Sequence, residues 1–282
     1  MSKFIVIKNK EIIEAPGDFL LKSGYYKSYS LFMANNNDIS ILDTLILTSV
    51  DSIDVLEEYI KCFSEPIMLR MDYASLSGCT SKYIGGIPVY TLSALKKICI
   101  FLFDNGYIPV LQPYPDRFKN LYGISCLLTI KDDELTIELV GKGFDAADLR
   151  LGLTNPHEKI VYDCNTWEIL SREIISSHEY LNSKSKRELY TGKIEAYINY
   201  VSNENKLLKS IDSLKEDSIK KLSDNYIPAT KHIIDEAAFL SNIISMKILP
   251  SLPFSQDYII SFSVLENLKF TLWDIYGKWY IR

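Results

Sequence analysis

Apolar positions along the chain follow two regimes: short apolar runs separated by turn signals up to about residue 175, and mainly helical spacing beyond it. FIVI (Phe4–Ile7) reads as a strand. The rest of the first forty residues shows no clear period, and NNND (Asn35–Asp38) is a loop signal. ILDTLIL (Ile41–Leu47) is an apolar run of strand length. Asp51 or Ser52 then caps a helix whose Ile53, Leu56, Ile60 and Phe63 recur at helical spacing, with Pro66 after its end. PIMLRMDY is a strand whose alternation sends Ile67, Leu69 and Met71 to one face and Met68, Arg70 and Asp72 to the other.

A loop with Gly78, Gly85 and Gly86 leads to a helix from near Thr91, with Leu92, Leu95, Ile98 and Leu102 as its buried stripe. Asn105-Gly106 is a left-handed stop signal. YIPVLQ is the next strand, and the prolines of PYPDRFKN prevent its continuing as a central strand. Leu121–Ile130 and Leu135–Val140 are strands joined by the KDDE turn, with Glu138 pointing away from the face shared by Leu135, Ile137 and Leu139. GKGFDAADLRLG is a loop with one helical turn at DAADL. Residues 178–225 read as exposed helices, and Pro228 opens a stronger one with Ile233, Ala237, Leu240 and Ile244 on one stripe. YIISFSVLENLKFTLWDIYGKWYIR is strand, turn, strand, with a second turn at Gly277.

The expected class is therefore α+β. An α+β region over 1–175, with antiparallel or mixed sheets, precedes a mainly helical region over 176–282 that ends in a β-hairpin. At 282 residues, 47% hydrophobic and 24% charged, the chain can bury a sizeable core. Its formal net charge of −5 argues against holding nucleic acid by overall electrostatics. Five cysteines, an odd number with no C-x-x-C pair, read as reduced thiols. MSKFIVIKNKEII is too interrupted by charge for a signal peptide, and ICIFLF is far too short for a membrane span, so a cytoplasmic protein is expected.

Three constellations could carry chemistry. Arg70 stands on a strand face beside a glycine-containing loop, where a guanidinium fork matches phosphate or carboxylate; the ordinary alternative is an ion pair with Asp72 or a surface neighbour. Asp116-Arg117 follows two prolines that restrict the backbone, or is a solvated turn. GFDAADLRLGLTNPHE crowds Asp145, Asp148, Arg150, His157 and Glu158 into a short irregular stretch, whose carboxylates would suit Mg²⁺ rather than zinc. Cys164 near His157 is read as an inert thiol rather than a nucleophile, and His178 and His232 as helix-surface residues. Trp273, Tyr276, Trp279 and Tyr280 read as core aromatics. Asp274 inside that apolar run requires a partner, a metal or an exposed face.

From Ile41 to about Glu158, the order of elements resembles the nucleotide-binding half of the ATP-grasp superfamily. The parts that carry the resemblance are a helix before a short strand (Asp51–Phe63, IMLRM), a loop and helix (Ser77–Asn105), a strand toward the adenine hinge (PVLQPYP) and an antiparallel pair (Leu121–Val140). The resemblance implies ATP and Mg²⁺ as cofactors, with Arg70 on phosphate, Gln112 beside the adenine, and Glu138, Asp145 and Asp274 as metal ligands. Catalytic roles fall to Arg70, Asp116, Arg117 and Arg150, in ATP-dependent joining of a small carboxylate to an amine. The first strand has no Lys-Pro, and no Glu-x-Asn metal motif stands near the end. The alternative is a non-enzymatic interaction protein, or a phage- or defence-related one, using its helical half as a partner surface.

Overall fold

The computed structural model describes residues 4–11, 16–60, 67–74, 87–89, 91–113, 120–129, 133–142, 144, 146, 149, 154–175, 226–252, 257–265 and 267–277. Asp116, Arg117, Asp145, Asp148 and Arg150, the helices expected over 178–225 and the Trp279-Tyr280 pair lie outside the described residues.

The fold is α+β, built on two antiparallel sheets. Sheet one joins β1 (Phe4–Ile7), β2 (Thr44–Leu47), β3 (Ile67–Tyr73), β4 (Ile87–Val89) and β5 (Tyr107–Pro113) in the order β1-β2-β5-β3-β4. Sheet two joins β6 (Asn120–Thr129), β7 (Glu134–Val140), β8 (Glu158–Asp163), β9 (Ile169–Ile174), β10 (Tyr258–Leu265) and β11 (Phe270–Gly277) in the order β11-β10-β6-β7-β8-β9. The C-terminal hairpin β10–β11 thus pairs with β6, so one sheet draws strands from both sides of residue 175.

The alternation along β3 decides how sheet one packs. Ile67, Leu69 and Met71, with Leu45, Leu47 and Leu111, meet Leu95, Ile98 and Leu102 of α4 (Leu92–Asp104), the helix after its partner α3 (Leu56–Ile60). The Thr91 side chain caps α4 by accepting from Ala94 N at 3.2 Å, and Gly106 adopts φ 78° just past its end. Before α3 lies a 3₁₀ turn, Val50–Val55, opened by Ser49 rather than by Asp51 or Ser52. In sheet two, Ile124, Cys126, Ile137, Leu139, Ile160 and Ile260 pack in one core with Ile233, Ile234, Ala237 and Ile244 of α5 (Lys231–Lys247). Pro228 precedes that helix, which starts after Thr230.

The segment without a readable period folds as two helices, α1 (Pro16–Lys22) and α2 (Tyr26–Asn36). α2 runs into NNND, and the turn beyond it places Asp38 at φ 62°. α2 packs on β11 and β3, so it sits where the two sheets meet. The chain leaving it is tied to sheet two as well: Ile41 makes a parallel bridge with Leu272, and Leu272 N donates to Ser40 O at 2.8 Å.

Candidate functional site at the sheet junction

β3 pairs with β5 in antiparallel register, setting Met68 opposite Gln112, Arg70 opposite Val110 and Asp72 opposite Ile108. Opposed residues share a face, so Arg70, Asp72 and Gln112 all look toward α2 and sheet two. Arg70 is 4% exposed and crosses the junction. Its Nη1 donates to Gln112 Oε1 at 3.2 Å and to the carbonyl of Trp273, and its Nη2 donates to Asp274 Oδ2. The Gln112 amide is completed by donation from Nε2 to Thr44 Oγ1 at 2.9 Å.

The β11 end of this contact rests on a local break in register. Ser261 pairs with Asp274 and Phe262 with Leu272, leaving Trp273 as the extra residue of a bulge. A bulged residue is released from the regular ladder, and its carbonyl can turn to Arg70. The Trp273 indole donates to Ser263 Oγ at 2.6 Å and its ring lies 6.0 Å from the guanidinium carbon.

Two further charges complete the cluster. Lys27, from the first turn of α2, places Nζ 3.3 Å from Asp274 Oδ2, and both side chains are buried. Asp72 accepts from Ser28 N at 2.7 Å and from Tyr73 N at 2.8 Å. The N-cap residue of α2, Tyr25, makes no side-chain cap bond, so Asp72 caps this helix from another strand. Burial pushes the Asp72 carboxyl up to about 6, opposed by the Ser28 bond and the Lys27 charge.

Arg70 and Asp72 are thus neighbours on one face, but each has its own partner on another element. The charge at Asp274, conspicuous in an apolar run, is met by partners rather than by exposure. Lys27 escaped the sequence reading because α2 is buried on nearly all sides and gives no amphipathic period.

The other predicted residues lie further off. Asp274, Ser261, Ser125, Glu138 and Lys159 form one register row across sheet two. Glu138 is therefore three strand spacings from Asp274, ~14 Å at about 4.8 Å each. Burial raises the Glu138 carboxyl, with Lys159 opposing. A divalent ion holds its oxygens at about 2.0–2.6 Å, so these two carboxylates do not fit one shared Mg²⁺. Asp274 also already faces two cations. Among the described residues no group of three or more His, Cys, Asp or Glu could hold a metal ion.

Glu158 belongs to a separate buried network on the α5 face of sheet two. It accepts from Arg172 Nε at 2.6 Å, Tyr226 OH at 2.6 Å and Ala229 N at 3.0 Å, which clamps the segment leading into α5. His157, next to it, stacks on Tyr226 with centroids 4.7 Å apart. Its Nδ1 accepts from Gly141 N at 3.4 Å. Cys164 lies past the far end of β8, about 20 Å along an extended strand from His157, so the two do not pair. Burial and nearby carboxylates push the Cys164 thiol up to about 11, and the thiols of Cys99, Cys126 and Cys164 are free. No described helix is long and apolar enough to cross a membrane.

No protein-family model matches the chain, and no curated protein sequence matches it. Solved structures that resemble it include ATP-grasp enzymes. D-alanine–D-alanine ligase from Bacillus anthracis, complexed with ATP, is 10% identical with a TM-score of 0.41, covering 89% of this chain and 55% of that one. The Helicobacter pylori D-alanine–D-alanine ligase is 13% identical with a TM-score of 0.42, over 89% and 53%. Carboxyaminoimidazole ribonucleotide synthase from Aspergillus clavatus, complexed with ATP, is 9% identical with a TM-score of 0.43, over 90% and 44%. The chain spans about half the length of these proteins. At these scores the likeness transfers no residue's role.

Proposed function

We propose that this chain is an ATP-grasp-like nucleotide-binding protein whose reaction is the ATP-dependent joining of a small carboxylate to an amine. The observation that carries the reading is the meeting of Arg70, Gln112 and Asp274. They come from three strands, up to 204 positions apart, and each was a candidate site residue in the sequence, Arg70 and Asp274 as charges on apolar strands and Gln112 through the order of elements. Lys27 adds a second cation at the same point. A buried guanidinium beside an ammonium suits phosphoryl oxygens, because fixed charges in a low-dielectric junction stabilise an anion more strongly than they would in water.

In this reading Arg70 and Lys27 hold phosphate. Trp273, half-buried beside the guanidinium, shields it from water, and the Gln112–Thr44 bond fixes the guanidinium plane. Asp116, Arg117 and Arg150, on the segments that follow β5 and β7, are proposed to position the substrate or the nucleotide. When bound, Mg²⁺ would supply charge neutralisation of the phosphates. Glu138 and Asp274 do not fit a shared ion and hold no metal in this reading.

A second reading is favoured by the guanidinium's existing bonds to three protein acceptors. In it the junction is a structural ion cluster in a protein without turnover. Calorimetric titration of ATP into the wild type and into Arg70→Lys separates the two. The nucleotide reading expects wild-type binding that the variant weakens about tenfold or more, since an ammonium cannot reproduce the planar fork. It also expects ADP release that depends on added carboxylate and amine. Absence of binding at millimolar ATP overturns it in favour of the structural cluster.

A further inference from the structure

We infer that Lys27 is a ligand-binding residue of this site and that the Asp274 carboxylate is its built-in competitor, an internal anion occupying the place of a phosphate or carboxylate. The inference rests on the nucleotide reading above and adds to it a mode of control.

The geometry is that of an occupied anion site. Lys27 Nζ and Arg70 Nη2 both address the same oxygen, Asp274 Oδ2. The two cations come from different elements, α2 and β3, and the anion from a third, β11. A carboxylate gripped at one oxygen by an ammonium and a guanidinium presents to them what a ligand's phosphoryl oxygen would present. All three side chains are nine-tenths or more buried, so an incoming anion cannot add to the cluster and has to replace Asp274.

The anion also adjoins a break in the β10–β11 ladder, the Trp273 bulge, where pairing with β10 already shifts register. Lys27 stands in the first turn of a helix whose N-terminus is capped from β3 by Asp72. Displacement of Asp274 therefore requires movement at a bulge and leaves the α2–β3 attachment intact.

A site closed by its own carboxylate binds ligand with an affinity reduced by the fraction of molecules that are open. Neutralising the internal anion should remove that reduction, so a substitution in a buried ion pair is expected to strengthen binding. A purely architectural pair predicts the opposite sign, because breaking it disorders the junction.

The test is calorimetric titration of ATP into the full chain as wild type, Asp274→Asn and Lys27→Met, each checked for folding by circular dichroism. Asn keeps an oxygen for Arg70, and Met keeps the buried stem of Lys27. The expected result is about tenfold or more tighter binding in Asp274→Asn and about tenfold or more weaker binding in Lys27→Met. Wild-type binding with equal or weaker affinity in Asp274→Asn overturns the inference while leaving the nucleotide reading standing. If Asp274→Asn does not fold, Lys27→Met decides, and an unchanged affinity there overturns the inference. No binding by either the wild type or a folded Asp274→Asn overturns both readings.

Discussion

Asp72 shows how one buried side chain links sequence to pH. Its carboxyl lies on the inward face of β3 because of a simple alternation, and it caps α2 because Tyr25 cannot. Its carboxyl is raised from 3.8 to about 6, with burial as the main cause. The folded state therefore takes up this proton before the unfolded state does. Asp72 costs stability above about pH 6, the cost shrinks as pH falls toward 4, and it is absent below that. Urea unfolding at pH 7 and pH 4 should show the wild type gaining roughly 2 kcal/mol relative to Asp72→Asn on acidification. A difference that is flat across this window would remove the assignment. Glu158 gives a contrasting case, with three donors arranged around a fully buried carboxylate. Glu158→Ala should cost on the order of 3 kcal/mol in the same assay, because Tyr226 OH and Ala229 N lose their acceptor.

At the scale of elements, close packing makes its own predictions. A Cβ at Gly17 would collide with the Phe32 ring, where α1 packs on α2. Gly17→Ala should lower stability by about 1–3 kcal/mol, read as a fall in melting temperature, and Phe32→Leu in the same chain should recover part of it. A Cβ at Gly141 would lie 2.8 Å from Tyr226 Cδ2, so Gly141→Ala should behave likewise at the β7–Tyr226 contact. The elements legible in the sequence were those with one clear buried face. β7 and α4 alternate or repeat as half-buried elements do, and α4 carries its own stop and start signals, whereas β3 is buried on both faces and was legible instead as an apolar run of strand length. α2 was illegible because Lys27, Ser28, Ser30 and Asn35 are buried alongside Tyr29, Leu31 and Phe32, and its cap comes from Asp72. β9 was illegible for the opposite reason, since all six of its residues are exposed and no alternation is imposed. Within the site, Arg70 and Asp274 could be found because a charge in an apolar strand needs a partner. Lys27 could not, because nothing local to it marks the contact.

At the scale of the whole molecule, the two sheets share no strand among the described residues and are joined by side chains and one backbone bridge. Arg70 reaches from β3 to β11, Lys27 reaches down from α2, and the Ile41–Leu272 bridge holds the chain between them. Placing buried charges at a junction is costly for stability, since well-packed apolar residues of similar volume are often as stable or better. That cost is intelligible where the charges serve an anion. Whether this junction binds nucleotide phosphate, as proposed, is read from thermal melting of the wild-type protein against increasing ATP. A ligand that binds only the folded state stabilises it by about 2.7 kcal/mol at a hundred times its Kd. The melting temperature should therefore rise continuously with ATP concentration and rise less in Arg70→Lys. A melting temperature that stays constant to millimolar ATP would mean that the junction holds no nucleotide and that its charges are structural.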